Sequence, residues 1–130
     1  MNPLVFREYD IRGVVGQDLT DDFVAALAGA LGVYFRDRGV ERVSLGMDAR
    51  LSSPVFKDIL AEGLARSGVH VVDLGMVPTP VVYFSLFRLD VGGGVCVTGS
   101  HNPPDNNGFK IALGKTTIYG GEIQAIRKLM

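Results

Sequence analysis

The 130-residue sequence has a single cysteine, Cys96, so no disulfide can close within the chain and no paired-cysteine metal site exists. No basic run interrupts the sequence: 13 lysines and arginines stand against 14 aspartates and glutamates, for a formal charge of −1. Nucleic-acid binding leans on clustered cations, so this balance argues against such a partner, although a pocket for one small phosphate needs only local positive charge. No apolar run approaches the roughly 18 residues that span a bilayer. The opening, Met1-Asn2-Pro3-Leu4-Val5-Phe6-Arg7-Glu8, has neither a basic start nor a long apolar stretch. The sequence therefore predicts no signal peptide, no membrane partner and a soluble cytoplasmic protein. Internal repeats and low-complexity linkers are also missing. What is there is globular: 47% hydrophobic and 21% charged residues, at the size of one domain.

The first clear element is a helix. Thr20 offers a capping hydroxyl, Asp21 and Asp22 place negative charge in the first turn, and Phe23, Leu27, Ala30, Leu31, Tyr34 and Phe35 form one apolar stripe. Gly39 can stop it. Arg42–Met47 is short and apolar enough for a buried strand. Ser53 followed by Pro54 predicts a cap and first turn of a second helix, running through Ile59, Leu60 and Leu64 to Gly68. Val69–Leu74 reads as a strand, Thr79–Phe87 as a helix and Gly94–Thr98 as a strand. Phe109–Leu113 alternates like another strand, Thr116–Tyr119 starts a short piece, and Gly121–Met130 begins a helix with Ile123 and Ile126 on one side. Strands alternating with helices predict an α/β fold: a three-layer α/β/α sandwich around a mostly parallel, mixed central sheet.

Ligand sites in such sheets gather at the carboxyl ends of strands, and Thr98-Gly99-Ser100-His101-Asn102-Pro103-Pro104 follows one of those ends. Gly99 permits close backbone approach, and the prolines stiffen the exit. A hydroxyl and an imidazole are thus displayed on a short arch. Asn106-Asn107-Gly108 is turn chemistry that should fold Phe109-Lys110 back and bring the Lys110 ammonium toward Ser100. Hydroxyl, imidazole and ammonium together suit phosphoryl transfer, where positioning and charge neutralisation dominate. Taken alone, such a stretch is more often a plain turn than a catalytic loop. A serine-hydrolase elbow does not fit, because the flanking positions are Thr98 and Asn102 rather than glycines. His101, adjacent to Ser100, is poorly placed as its base, and His70 falls within a predicted strand, buried or edge-facing. A nucleotide P-loop ending at Gly114-Lys115-Thr116 would need glycine at Phe109.

The loop Thr98–Pro104 with Asn107-Gly108-Phe109-Lys110 resembles the phosphoserine loop of the α-D-phosphohexomutases. Arg7-Glu8-Tyr9-Asp10-Ile11-Arg12-Gly13 is similar to that family's N-terminal signature, and Asp48-Ala49-Arg50-Leu51-Ser52-Ser53-Pro54 to the segment between a strand and its helix. The three motifs occur in family order across nearly the whole chain. The wording is most like the bacterial phosphomannomutase/phosphoglucomutase branch, with phosphoglucosamine mutases a less similar alternative.

The resemblance implies that residues 1–130 are domain I, the phosphoserine-bearing part of a longer multidomain enzyme, and that the abrupt end at Met130 marks a fragment. It implies that Ser100 carries the phosphoryl group exchanged with hexose 1- and 6-phosphates of mannose or glucose through a bisphosphate. Lys110 would act as acid or base, Arg12 would neutralise phosphate charge, His101 would orient substrate or assist proton transfer, and Tyr9 would contact substrate. Arg50 would hold the loop or a phosphate. Mg2+ would meet this chain only through a phosphate oxygen on Ser100, its other ligands and the sugar- and phosphate-recognition loops lying in further domains of the same enzyme. The isolated chain would then be inactive. Without the motifs, Arg12 would be a solvated loop arginine and Lys110 a surface lysine on an edge strand. A non-catalytic phosphate- or sugar-phosphate-binding module is the alternative from another class. Cys96 reads as a small buried residue rather than a reactive thiol.

Overall fold

In the computed structural model, which describes residues 1–130, helix α1 spans Asp21–Asp37 and starts at its expected cap. Thr20 Oγ1 accepts the Phe23 amide at 3.2 Å, satisfying one of the donors a helix start leaves free. β2 (Arg42–Met47), α2 (Ser53–Arg66), β3 (His70–Met76), α3 (Thr79–Arg88) and β4 (Gly93–Val97) follow, within two residues of the sequence expectation at each boundary. β5 (Asn106–Leu113), β6 (Thr116–Thr117) and α4 (Gly121–Leu129) complete the chain. One element was not anticipated: β1 (Ile11–Val14), preceded by a single 3-10 turn at Pro3–Val5.

The sheet order is β1-β5-β4-β2-β3, with β6 paired to β5. β4, β2 and β3 pair in parallel, whereas β5 runs antiparallel to β1, β4 and β6. The mixed character of the sheet therefore resides in β5. Side-chain alternation separates the two faces. On β2, Val43 and Leu45 enter the main core with Leu27, Leu31 and Phe35 of α1 and Leu60 and Leu64 of α2. Ser44 and Gly46 face α3: Ser85 Oγ donates to Ser44 Oγ at 2.8 Å, and Gly46 lies against Val82. α1, α2 and α4 thus cover one face and α3 the other, the predicted three-layer α/β/α sandwich. α4 is fastened to α1 by the Tyr34 hydroxyl, which donates to Glu122, and by Arg38, which pairs with Glu122 at 3.2 Å and lies 3.7 Å over the Tyr34 ring.

Two local expectations give way to tertiary contacts. Asn106-Asn107-Gly108 is not a turn but the first three residues of β5. Asn107 is fully buried, its side-chain amide donating to Ser52 Oγ at 2.7 Å and Ser53 Oγ at 3.0 Å while its carbonyl accepts the Gly108 amide. Gly108 admits β1, because a Cβ there would sit 2.4 Å from the Ile11 carbonyl. The reversal lies earlier, within residues 99–105. Ser53 is not the cap of α2 either. It is the first helical residue; Ser52 holds the cap position with helical dihedrals and no capping bond. The Ser53 hydroxyl donates instead to Asp48 Oδ1 at 2.5 Å.

Two helical glycines should respond oppositely to the same change. Gly29 on α1 has nothing within 4 Å of a Cβ, so Gly29→Ala is expected to stabilise by about 1 kcal/mol. At Gly63 on α2 a Cβ would fall 2.4 Å from Ala28 Cβ, which cannot rotate away. Gly63→Ala is expected to lose about 1 kcal/mol net, overpacking outweighing the propensity gain. Urea denaturation of the two variants checks both signs.

Candidate active site

Because β2 and β4 are parallel neighbours, with Met47 opposite Val97, the loops leaving their carboxyl ends emerge side by side. One is Asp48–Ser52 and the other Thr98–Asp105. Asp48 bridges them. Its Oδ2 accepts the Gly99 amide at 2.9 Å, and its Oδ1 accepts the Arg50 amide at 3.1 Å and the Ser53 hydroxyl. Burial pushes the Asp48 carboxyl up, but the hydrogen bonds from Ser53, Gly99, Arg50 and Thr98 together hold it below its ordinary value of 3.8.

Arg50 lies across the second loop. Its Nη1 donates to the carbonyls of Pro103 (2.5 Å) and Asn106 (2.8 Å), its Nη2 to those of Ser100 (3.2 Å) and Asn102 (2.7 Å), and its Nε lies 3.3 Å from Asp48 Oδ2. Ser100 is exposed, with its amide donating to Thr98 Oγ1 at 3.0 Å. Its φ of 54° makes it the one non-glycine residue in the left-handed region. Residues held in such sparsely populated backbone regions cluster at functional sites.

A second cluster forms where β1 meets β5. Ile11 pairs with Phe109 and both point into the core, so their neighbours Asp10, Arg12 and Lys110 share the opposite face, at the end of the sheet that bears Ser100. Arg12 donates to Asp10 and, through Nη1, to Asn102 Oδ1 at 2.9 Å, while Lys110 Nζ lies 3.6 Å from the same Asp10 oxygen. Neither cation is the solvated side chain its sequence context allows: the side chains are 15% and 22% exposed. Arg12 Nε is buried without a partner. Arg12 therefore reaches the Ser100 loop by way of Asn102.

His101 is exposed and its side chain makes no hydrogen bond within the chain, so the fold does not tie it to Ser100 or Lys110. Tyr9 is 66% exposed and tilted against the Tyr119 ring at 6.5 Å. His70 is exposed on the edge strand β3. Cys96 is buried, 3.6 Å from Thr79 Oγ1, and burial pushes its thiol up, as suits an unreactive residue. Asp10, Asp48, Asn102 and Asn107 were not singled out from the sequence. Asp10 and Asp48 open or sit within the quoted motifs, and that was their only signal.

A cleft of about 600 Å3 runs beside the Ser100 loop, lined by Asp48, Arg50 and Leu51 on one wall and Asn102, Pro104 and Asp105 on the other. No three His, Cys, Asp or Glu side chains gather where a metal ion could be held. The residues present do not by themselves fit an Mg2+ site. No helix is long and apolar enough to cross a membrane.

The family model described as phosphoglucomutase/phosphomannomutase, alpha/beta/alpha domain I, matches residues 3–130. Over 122 residues, 94% of this chain, the sequence is 45% identical to a phosphoglucomutase of Neisseria gonorrhoeae, covering 26% of that protein. Over 124 residues, 95% of this chain, it is 47% identical to a phosphomannomutase/phosphoglucomutase of Pseudomonas aeruginosa, covering 27% of it. A crystal structure of a phosphoglucomutase/phosphomannomutase family protein from Burkholderia thailandensis superposes with a TM-score of 0.92 at 44% identity, over 98% of this chain and 30% of that one. The chain thus spans about a quarter of the length of the curated relatives it matches.

The Asp48 hydrogen bonds make a pH-dependent contribution to stability. A carboxyl held below its unfolded value stabilises the fold above that value, and the contribution disappears as pH falls through the folded one. Asp48→Asn is expected to cost about 1–2 kcal/mol at neutral pH, and the gap to the parent should close as pH drops below 3.8. Urea denaturation across the acid range measures this; a gap that stays constant would contradict it.

Proposed function

This chain belongs to the phosphoglucomutase/phosphomannomutase family as its α/β/α domain I, and from that membership we propose that it is the phosphoserine-bearing domain of a longer cytoplasmic enzyme interconverting hexose 1- and 6-phosphates of mannose or glucose. The observation that carries the proposal is the exposed Ser100 on a fixed arch at the carboxyl end of β4, with Arg12 and Lys110 gathered on one face at the same end of the sheet.

In the forward half-reaction a hydroxyl of the hexose monophosphate attacks the phosphorus carried on Ser100. The bond from phosphorus to Ser100 Oγ breaks, a bond to the sugar oxygen forms, the sugar hydroxyl's proton is taken up by a base, and Ser100 Oγ takes up a proton in its place. In the second half, Ser100 Oγ gives up its proton and attacks the other phosphate of the bisphosphate; the bond from that phosphorus to its sugar oxygen breaks, that oxygen takes up a proton, and the monophosphate of opposite regiochemistry departs. A serine hydroxyl is a weak nucleophile near neutral pH, so proton transfer and charge neutralisation must come from its neighbours. Lys110 supplies a proton-carrying ammonium. Arg12, with an orphaned Nε–H, supplies a planar guanidinium suited to phosphate oxygens. His101, exposed and without a hydrogen bond inside the chain, and Tyr9, exposed beside Tyr119, are the groups left to meet the sugar. A phosphate oxygen on Ser100 would be this chain's only contact with Mg2+, whose other ligands would come from further domains and whose chemistry there would be charge neutralisation.

In the full-length enzyme, intact-mass analysis with peptide mapping should find a phosphate adduct on Ser100. Ser100→Ala should abolish both the adduct and mutase turnover while changing stability by no more than about 0.5 kcal/mol, as for an exposed loop position. The isolated 130-residue chain should fold and show no turnover. Substantial activity in Ser100→Ala would refute the role assigned to Ser100.

A further inference from the structure

A guanidinium has five N–H donors, and the four on Arg50 Nη1 and Nη2 are taken by the carbonyls of Ser100, Asn102, Pro103 and Asn106, while Nε lies 3.3 Å from the Asp48 carboxylate as an ion pair. Neither Nη of the guanidinium, the forked end that would take a phosphate, has a free donor. Its plane lies directly against Gly99, where a Cβ would come within 2.1 Å of Arg50 Cζ and Nε. Gly99 does not have a positive φ, so its backbone would accept any residue, and the guanidinium is the obstacle to a side chain there. The neighbouring Ser100, in contrast, holds a left-handed φ of 54° that its own side chain does not favour.

We infer that Arg50 is the positioning residue of the phosphoryl-carrying loop, and that Gly99 is glycine to admit its guanidinium. The inference rests on the assignment of Ser100 as carrier. By drawing three carbonyls of the loop and that of Asn106 at the start of β5 toward one cation, Arg50 turns their negative ends inward and fixes the arch from which Ser100 projects. Asp48 completes the arrangement from the other side by taking the Gly99 amide. Lysine could not substitute: it brings the charge but neither the flat fork nor enough donors.

The test is steady-state mutase kinetics of the full-length enzyme carrying Arg50→Lys, Gly99→Ala or both, beside Ser100→Ala. Arg50→Lys is expected to lower kcat about 100-fold, the scale of a misplaced reacting group, with KM for hexose phosphate close to the parent value. Gly99→Ala should do the same by evicting the guanidinium, and the double variant should be no worse than the more damaged single, because both remove one contact. The two variants reach that contact from opposite sides, so a folding failure in one leaves the other to decide. Parent-like kcat in Arg50→Lys would overturn the inference. So would a raised KM at unchanged kcat, which marks a phosphate-binding arginine, or multiplicative losses in the double variant. Turnover by Ser100→Ala would instead overturn the carrier assignment on which it rests.

Discussion

Four backbone carbonyls and a carboxylate converge on the guanidinium of Arg50, and the shape of the Ser100 loop depends on that convergence. A segment containing two consecutive prolines and a left-handed serine cannot satisfy its backbone through a sheet or helix. Its carbonyls need a partner from elsewhere. The parallel pairing of β2 with β4 supplies one, because it sets the loop after β2 beside the loop after β4. Sheet topology places the arginine, the arginine shapes the loop, and the loop displays Ser100.

The same dependence explains what the sequence discloses. α1 is legible because its signals are local: a threonine cap, two acidic residues in the first turn and an apolar stripe of helical period. β2 and β4, the buried parallel strands, are legible as short apolar runs. β1 is not, since a four-residue strand containing Arg12 and Gly13 carries no apolar alternation of its own and exists through pairing with β5. Asn106-Asn107-Gly108 misleads for a related reason. Its residue types favour turns in isolation, yet a buried Asn107 bonded to two serines of α2 and its cap, and a glycine pressed against β1, put it in a strand.

The site divides along the same line. Ser100, Lys110 and Arg12 were visible because their chemistry is carried by side-chain type within quoted motifs. Asp10, Asp48 and Asn102 were not, because each acts by touching a residue distant in sequence or by linking two others. Asp10 joins Arg12 to Lys110; Asn102 joins Arg12 to the loop; Asp48 joins Gly99 to the start of α2. A linear sequence shows which groups a site contains more readily than which groups hold them.

Charge gives the arrangement its direction. The chain as a whole is slightly acidic, yet at the end of the sheet near Ser100 two cations, Arg12 and Lys110, share one anion, Asp10. The nearby Asp48 is matched by Arg50 and by three further donors. Were Asp48 unpaired, its charge would repel a phosphoryl group on Ser100; enclosed by donors, its field is largely cancelled. The loop is therefore held by a neutralised ion pair, while the surplus of positive charge is kept on the face that Arg12 and Lys110 share. Separating the pair that shapes the loop from the cations proposed to meet phosphate lets each be rigid without competing for the same acceptor.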